Sequence, residues 1–213
     1  MTAAITFNAV SYANYFENLS FNIAAGSSTL IITSRIDENT ALFQLICGIL
    51  KPQQGFITVQ GQDISDLTTV PLNSLRHSIG VVPANGGLIS NLKMWENICL
   101  PLLYNNGTVS QENTDEGYGY LARLKYTGNI MALPAHLSTY EKRISAFVRG
   151  VLKQSRIMIY SNCFDAMSES NRKNFISVIN EFHHSSPGRT SLFISSSAEI
   201  AEELPIDTTI IIH

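Results

Sequence analysis

The sequence predicts an α/β fold: a mainly parallel core sheet with an antiparallel β edge and an inserted helical subdomain. Compact apolar, largely β-branched runs recur at residues 29–32, 79–82, 157–160, 191–194 and 208–212, the pattern of strands buried on both faces. Between them the apolar period switches to that of a helix, as at Leu42, Leu45, Ile46 and Ile49. Residues from about 88 to 136 break this alternation and have a character of their own.

Ile5-Thr6-Phe7 and Phe21-Asn22-Ile23 alternate and read as short strands of an antiparallel edge. Gly26 marks a turn into the strand at 29–32. The following helix is expected to begin at Thr40 and to end at Lys51-Pro52 with Gly55. A strand pair at 56–59 turning at Gly61 and a strand at 79–82 come next. In the insert, Trp95, Leu100 and Leu102 stand at helical spacing, and the Asn- and Gly-rich stretch 105–119 reads as a surface loop before 120–124. Strand–helix alternation then resumes. Ile144, Phe147, Val148, Val151 and Leu152 form one helical stripe, and Phe175, Val178, Ile179 and Phe182 form another. The expected organisation is one domain over 1–213, its core drawn from 1–87 and 137–213.

Composition narrows the function. With 213 residues, 45% apolar and 15% charged, the chain has one substantial core and a lightly charged exterior, as a partner-covered protein would. A net charge of −3 with scattered basic residues argues against nucleic acid as a partner. Cys47, Cys99 and Cys163 match no C-x-x-C pattern, so neither a disulfide framework nor a zinc site is expected, and a reducing compartment fits. The start MTAAITFNAV lacks a signal-peptide pattern, and no run approaches the ~20 apolar residues of a membrane span. A cytoplasmic location without membrane insertion is expected. His77, His136, His183, His184 and His213 show no metal-ligand spacing. His183-His184 closes an amphipathic helix, where a cation suits the dipole.

Four segments in order carry a resemblance. Leu19-Ser20-Phe21-Asn22-Ile23-Ala24-Ala25-Gly26 is one, and Leu42-Phe43-Gln44-Leu45-Ile46-Cys47-Gly48-Ile49-Leu50-Lys51-Pro52-Gln53-Gln54-Gly55 is the second. Asn91-Leu92-Lys93-Met94-Trp95-Glu96-Asn97-Ile98-Cys99-Leu100-Pro101-Leu102 follows, and Leu137-Ser138 stands before Arg149. Together they make the chain resemble a P-loop NTPase-like ABC-transporter ATPase domain, over essentially its whole length. The segment 91–102 is similar to cassettes of the MCE-type lipid transporters.

The resemblance also says which positions should do chemistry, and this chain departs at nearly all of them. A phosphate loop needs glycines, so that backbone N–H groups wrap the phosphates, and a lysine to meet their charge. Thr33 and Glu38 stand at the glycine positions, Asn39 at the lysine, and Thr40 keeps the magnesium-binding hydroxyl. The family's L-S-G-G-Q signature reads Leu137-Ser138-Thr139-Tyr140-Glu141, where Tyr140 is expected to be too large for a phosphate-bearing partner to approach. The Asp-Glu pair expected after strand 157–160 is Ser161-Asn162. The glutamine position is Ala84 and the switch-histidine position Ser196. The adenine-stacking aromatic falls near Asn14, with Tyr15 or Tyr12 one or two residues away. Asp37, with Glu38 and Asn39 behind it, reads as an N-cap and dipole partner for the first helix. Ser138-x-x-Glu141 reads as a capping box.

The expectation is therefore a non-catalytic cassette with no nucleotide, metal or other cofactor. It would sit on the inner face of the cell membrane, docked on a permease near Trp95 and Glu96, and pair with itself or an active cassette. The resemblance points to lipid as cargo. Two alternatives are an ATPase working through Thr40, Arg35 and Asp165, and a free-standing scaffold.

Overall fold

The computed structural model describes residues 2–212, apart from the side chains of residues 105 and 106; His213 lies outside them. Strands β1 (Ala3–Tyr12), β2 (Phe16–Ala24), β4 (Gln54–Val59) and β5 (Gln62–Asp63) pair antiparallel in the order β2-β1-β4-β5. Strands β3 (Ser28–Ile32), β6 (Ile79–Pro83), β7 (Ile157–Ser161), β8 (Thr190–Ser195) and β9 (Thr208–Ile211) form a parallel sheet ordered β6-β7-β8-β3-β9. The antiparallel strands thus make a sheet of their own. Its strands mix buried and exposed positions, as in a sheet with one face in water, whereas β7 and β8 are buried throughout.

The two faces of the parallel sheet separate two cores. Ile157 and Ile159 of β7 join Ile31, Leu192 and Ile194 against Ile5, Phe7, Ile57 and Val59 of the antiparallel sheet. Helix α1 (Ile36–Ile46) adds Leu42, Leu45 and Ile46 to the same core. The alternate residues Met158 and Tyr160 face the other way with Leu30 and Phe193, onto α5 (Thr139–Leu152) and α6 (Glu169–His184). Period-two alternation in the strands is what divides them.

Three elements differ from the sequence expectation. Helix α1 starts at Ile36 rather than Thr40 and stops at Ile46, short of Lys51-Pro52. It stops because Gly48 takes φ 62, which lets the N–H groups of Ile49 and Leu50 fold back onto the carbonyl of Gln44 at 2.8 and 3.2 Å. Helix α2 (Thr69–His77) was not foreseen, since Leu75 is its one buried residue and no apolar stripe announces it. In the insert, α3 (Met94–Asn106) is followed by α4 (Gln111–Arg123), so most of the expected loop 105–119 is helix. Ser110 caps α4 by accepting from Asn113 N at 3.1 Å. A Cβ on Gly117 would lie 2.8 Å from the Trp95 ring, so that glycine lets α4 close onto α3.

Candidate functional site

The crevice beyond the carboxyl ends of the parallel strands is where an open α/β sheet binds ligands. Here side chains of the chain itself bond to one another across it. At the turn from β3 into α1, Glu38 Oε2 accepts from the backbone N–H groups of Ser34 and Arg35 at 3.0 and 3.1 Å. Its Oε1 accepts from Arg35 Nε at 3.0 Å. The expected capping residue Asp37 does not do this. Because α1 begins early, Arg35 takes the N-cap position and the residue three further on, whose carboxylate can turn back, is Glu38. The Arg35 guanidinium lies 5.4 Å from the centre of the Tyr15 ring and covers it. Tyr15 stands one residue from Asn14, the position at which the resemblance implies an adenine-stacking aromatic.

Deeper in, Asn39 is fully buried. Its Oδ1 accepts from Thr33 Oγ1 at 2.5 Å, and its Nδ2 donates to Asn162 Oδ1 at 2.9 Å. Thr33 N donates to the Ser195 carbonyl at 3.0 Å and Asn162 N to that of Ile194 at 2.9 Å. The Asn39 amide thus ties α1 to the ends of β3 and β7, and the backbone N–H groups of Thr33 and Asn162 tie both to β8. Thr40 is exposed, and its hydroxyl donates back along its own helix to the Ile36 carbonyl at 3.4 Å.

At the start of α5, Ser138 Oγ accepts from Glu141 N at 3.2 Å and Glu141 Oε2 accepts from Ser138 N at 2.7 Å. Ser138→Ala is expected to lower stability by about 1 kcal/mol, read from urea unfolding; an unchanged midpoint would show that the cap contributes nothing. Thr139 is exposed. Tyr140, expected to obstruct this face, turns inward. Its hydroxyl donates to the Leu124 carbonyl at 3.0 Å and its ring meets Phe175 edge-on at 6.3 Å. The second helical position of α5 points toward α4 and α6, so the ring packs instead of protruding.

Arg143 was not singled out from the sequence. It is 5% exposed and donates from Nε to the Ala84 carbonyl and from Nη1 to the Asp165 carbonyl, each at 2.6 Å. Burial holds its pKa below the usual arginine range, against the pull of Cys163 and Asp165. The only cue was a cation set directly against an apolar stripe. Asp165 presents its carbonyl here, while the residue is exposed. Ser196 is half-buried, and its neighbour Ser195 accepts from Ser197 N at 3.0 Å. Among the described residues no three His, Cys, Asp or Glu side chains cluster as a metal site.

The family model for the ABC transporter matches residues 16–164, well over half of the chain. The chain belongs to the ABC transporter family. It is 28% identical over 211 residues to the mitochondrial iron-sulfur clusters transporter ABCB7 of Danio rerio, covering 91% of this chain and 26% of that protein. It therefore spans about a quarter of that relative's length. The ergothioneine transport ATP-binding protein EgtV of Helicobacter pylori is 24% identical over 216 residues, covering 98% of this chain and 97% of EgtV. In fold, the chain is similar to the dimeric structure of the bacterial ABC transporter cassette MJ0796, with a TM-score of 0.85 at 19% identity, covering 98% and 94% of the two chains.

In this ABC cassette the expected docking residues Trp95 and Glu96 are half-buried at the start of α3. Trp95 stacks on Tyr118 with centroids 4.9 Å apart, and Glu96 Oε2 accepts from Lys93 N at 2.7 Å to cap α3. At the end of α6, His183 is not the dipole-stabilising cation expected. It is half-buried, with Nδ1 and Ser191 Oγ 2.9 Å apart. Burial first, and His184 second, push its pKa below the usual histidine value.

Proposed function

We propose that this ABC cassette is a non-catalytic subunit, a pseudo-ATPase that serves a membrane transporter without binding or hydrolysing ATP. The observation that carries this reading is Asn39, whose amide is spent on Thr33 and Asn162 where phosphate chemistry needs a lysine and a carboxylate pair. A triphosphate would have to break both bonds and meet the carboxylate of Glu38. Like charges ~5 Å apart at an effective dielectric of ~20 repel by roughly 3 kcal/mol per unit pair. Loss of the lysine forfeits an attraction of similar size. The consistent packing around the crevice supports retention for binding rather than decay.

In this proposal the partners are a permease and, across the cassette dimer, a second copy or an active cassette. No helix among the described residues is long and apolar enough to cross a membrane, and attachment to the inner face of the cell membrane would run through the permease. Lipid is the proposed cargo, from the wording of residues 91–102; the relatives are named for iron-sulfur clusters and ergothioneine.

Calorimetric titration of the purified chain with magnesium-ATP tests the reading. No saturation is expected up to about 1 mM, which corresponds to binding weaker than about −4 kcal/mol. Micromolar affinity with turnover would overturn it.

A further inference from the structure

At the end of the parallel sheet opposite the crevice, a cavity of about 640 Å³ is lined by both sheets. Thr6 of β1, Thr58 of β4 and Gln60 form one side, and Arg156 with Thr190 at the start of β8 the other. A second hollow of about 440 Å³ adjoins it, sharing Arg156 and Gly188. The first alone has the volume of a small-molecule site. The six residues of β8 separate Thr190 from Ser195 at the crevice, about 16 Å of strand.

Arg156 is held firmly and used by nothing. Its N–H donates to the Ser78 carbonyl and its carbonyl accepts from Thr190 N, each at 2.8 Å. Its residue is exposed, and its guanidinium has neither ion pair nor hydrogen bond among the described residues. Arg189, the other cation of the hollow, is spent. It donates to the Ser185 hydroxyl at 2.7 Å and the Ser155 carbonyl at 3.3 Å, and lies over the Phe182 ring. Among the described residues no Asp or Glu lines either cavity. The hydroxyls of Thr6 and Thr58, which pair across β1 and β4, and the Gln60 amide are also without partners there. Thr190 Oγ1 accepts from Gly26 N at 3.0 Å and keeps its own proton to give.

A fixed cation with an unspent fork, ringed by hydroxyl and amide donors and free of carboxylates, is a site for an anion. These donors stand on both sheets and on the turn after β4. A tetrahedral anion, with oxygens pointing several ways, meets more of them than a flat carboxylate can. We propose that the cavity binds a small phosphate monoester, its phosphoryl oxygens on Arg156 and the threonine hydroxyls and its hydroxylated body against Gln60. One guanidinium matches one phosphate, not the chain of a triphosphate. Because the walls come from both sheets, an occupant braces one against the other and stabilises the chain by mass action. The site is independent of whether the crevice takes ATP.

The test is a titration of the isotope-labelled full chain with glycerol phosphate, a minimal ester of this class, read from amide resonances. Saturable shifts are expected at Gln60, Gly61, Gly188 and Thr190, with inorganic phosphate weaker and glycerol silent up to about 10 mM. Arg156→Gln should weaken binding roughly ten- to a hundredfold, the range for losing a hydrogen bond to a charged group. Thr58→Phe, which puts a ring into the cavity and leaves Arg156 in place, should abolish the shifts. Silence at these four amides, shifts that survive both variants, or tighter binding of citrate would overturn the proposal. Equal binding of inorganic phosphate would mean an adventitious ion only and would overturn it too. Shifts confined to Ser34 and Arg35 would place the anion in the crevice instead, against this site and against the non-catalytic reading together.

Discussion

Phe147→Ala is expected to lower the free energy of unfolding by about 3–5 kcal/mol, the range for emptying a buried aromatic site. Phe147 lies fully buried on α5. Its ring meets Phe175 and Phe182 edge-on at 5.5 and 5.6 Å, Tyr120 at 6.0 Å and Tyr160 at 6.5 Å. Those partners belong to α6, α4 and β7, so one ring ties the helical insert to the parallel sheet. Four neighbours from three elements cannot all collapse into the space it leaves, which places the cost at the upper end for a core truncation. Urea unfolding should show a lower midpoint with an unchanged slope. A loss below about 1 kcal/mol would mean that the cluster does not couple the two parts.

Asn39→Leu is expected to cost about 2–3 kcal/mol, although the side chain keeps its branching and number of heavy atoms. The loss is polar. Asn162 Oδ1, buried behind α1, is left without the donor it now has at 2.9 Å. Thr33 can turn to the Arg35 carbonyl, 3.1 Å away, so most of the penalty falls on Asn162. A double-mutant cycle with Asn162→Ala isolates the bond: the pair should lose about 1 kcal/mol less than the sum of the single changes. Strict additivity would show that the crevice is not held shut by this amide.

How much of this was readable from residue order depends on the range of the interaction. The parallel strands announced themselves by unbroken apolar runs, and α5 and α6 by their stripes, because each signal lies within one element. The Ser138–Glu141 cap was visible for the same reason, since its partners are three residues apart. Helix α2 has a single buried residue and α4 has two, Gly117 and Leu121, so neither carries a period to read. Tyr140 and Trp95 were legible as large aromatics, but which side of a helix meets a neighbour depends on where that neighbour lies.

Residue order alone determined which residues stand at the positions where the resemblance expects phosphate chemistry: Thr33, Glu38 and Asn39 before and in α1, and Ser161 and Asn162 at the end of β7. What those residues touch was decided only in three dimensions. Asn39 and Asn162 are 123 residues apart, Arg143 reaches 59 residues back to Ala84, and Arg35 covers Tyr15 across the gap between two elements. Hydrogen bonds and ring contacts act over a few ångströms of space whatever the distance along the chain, and only the packed sheet and helices bring these groups within reach.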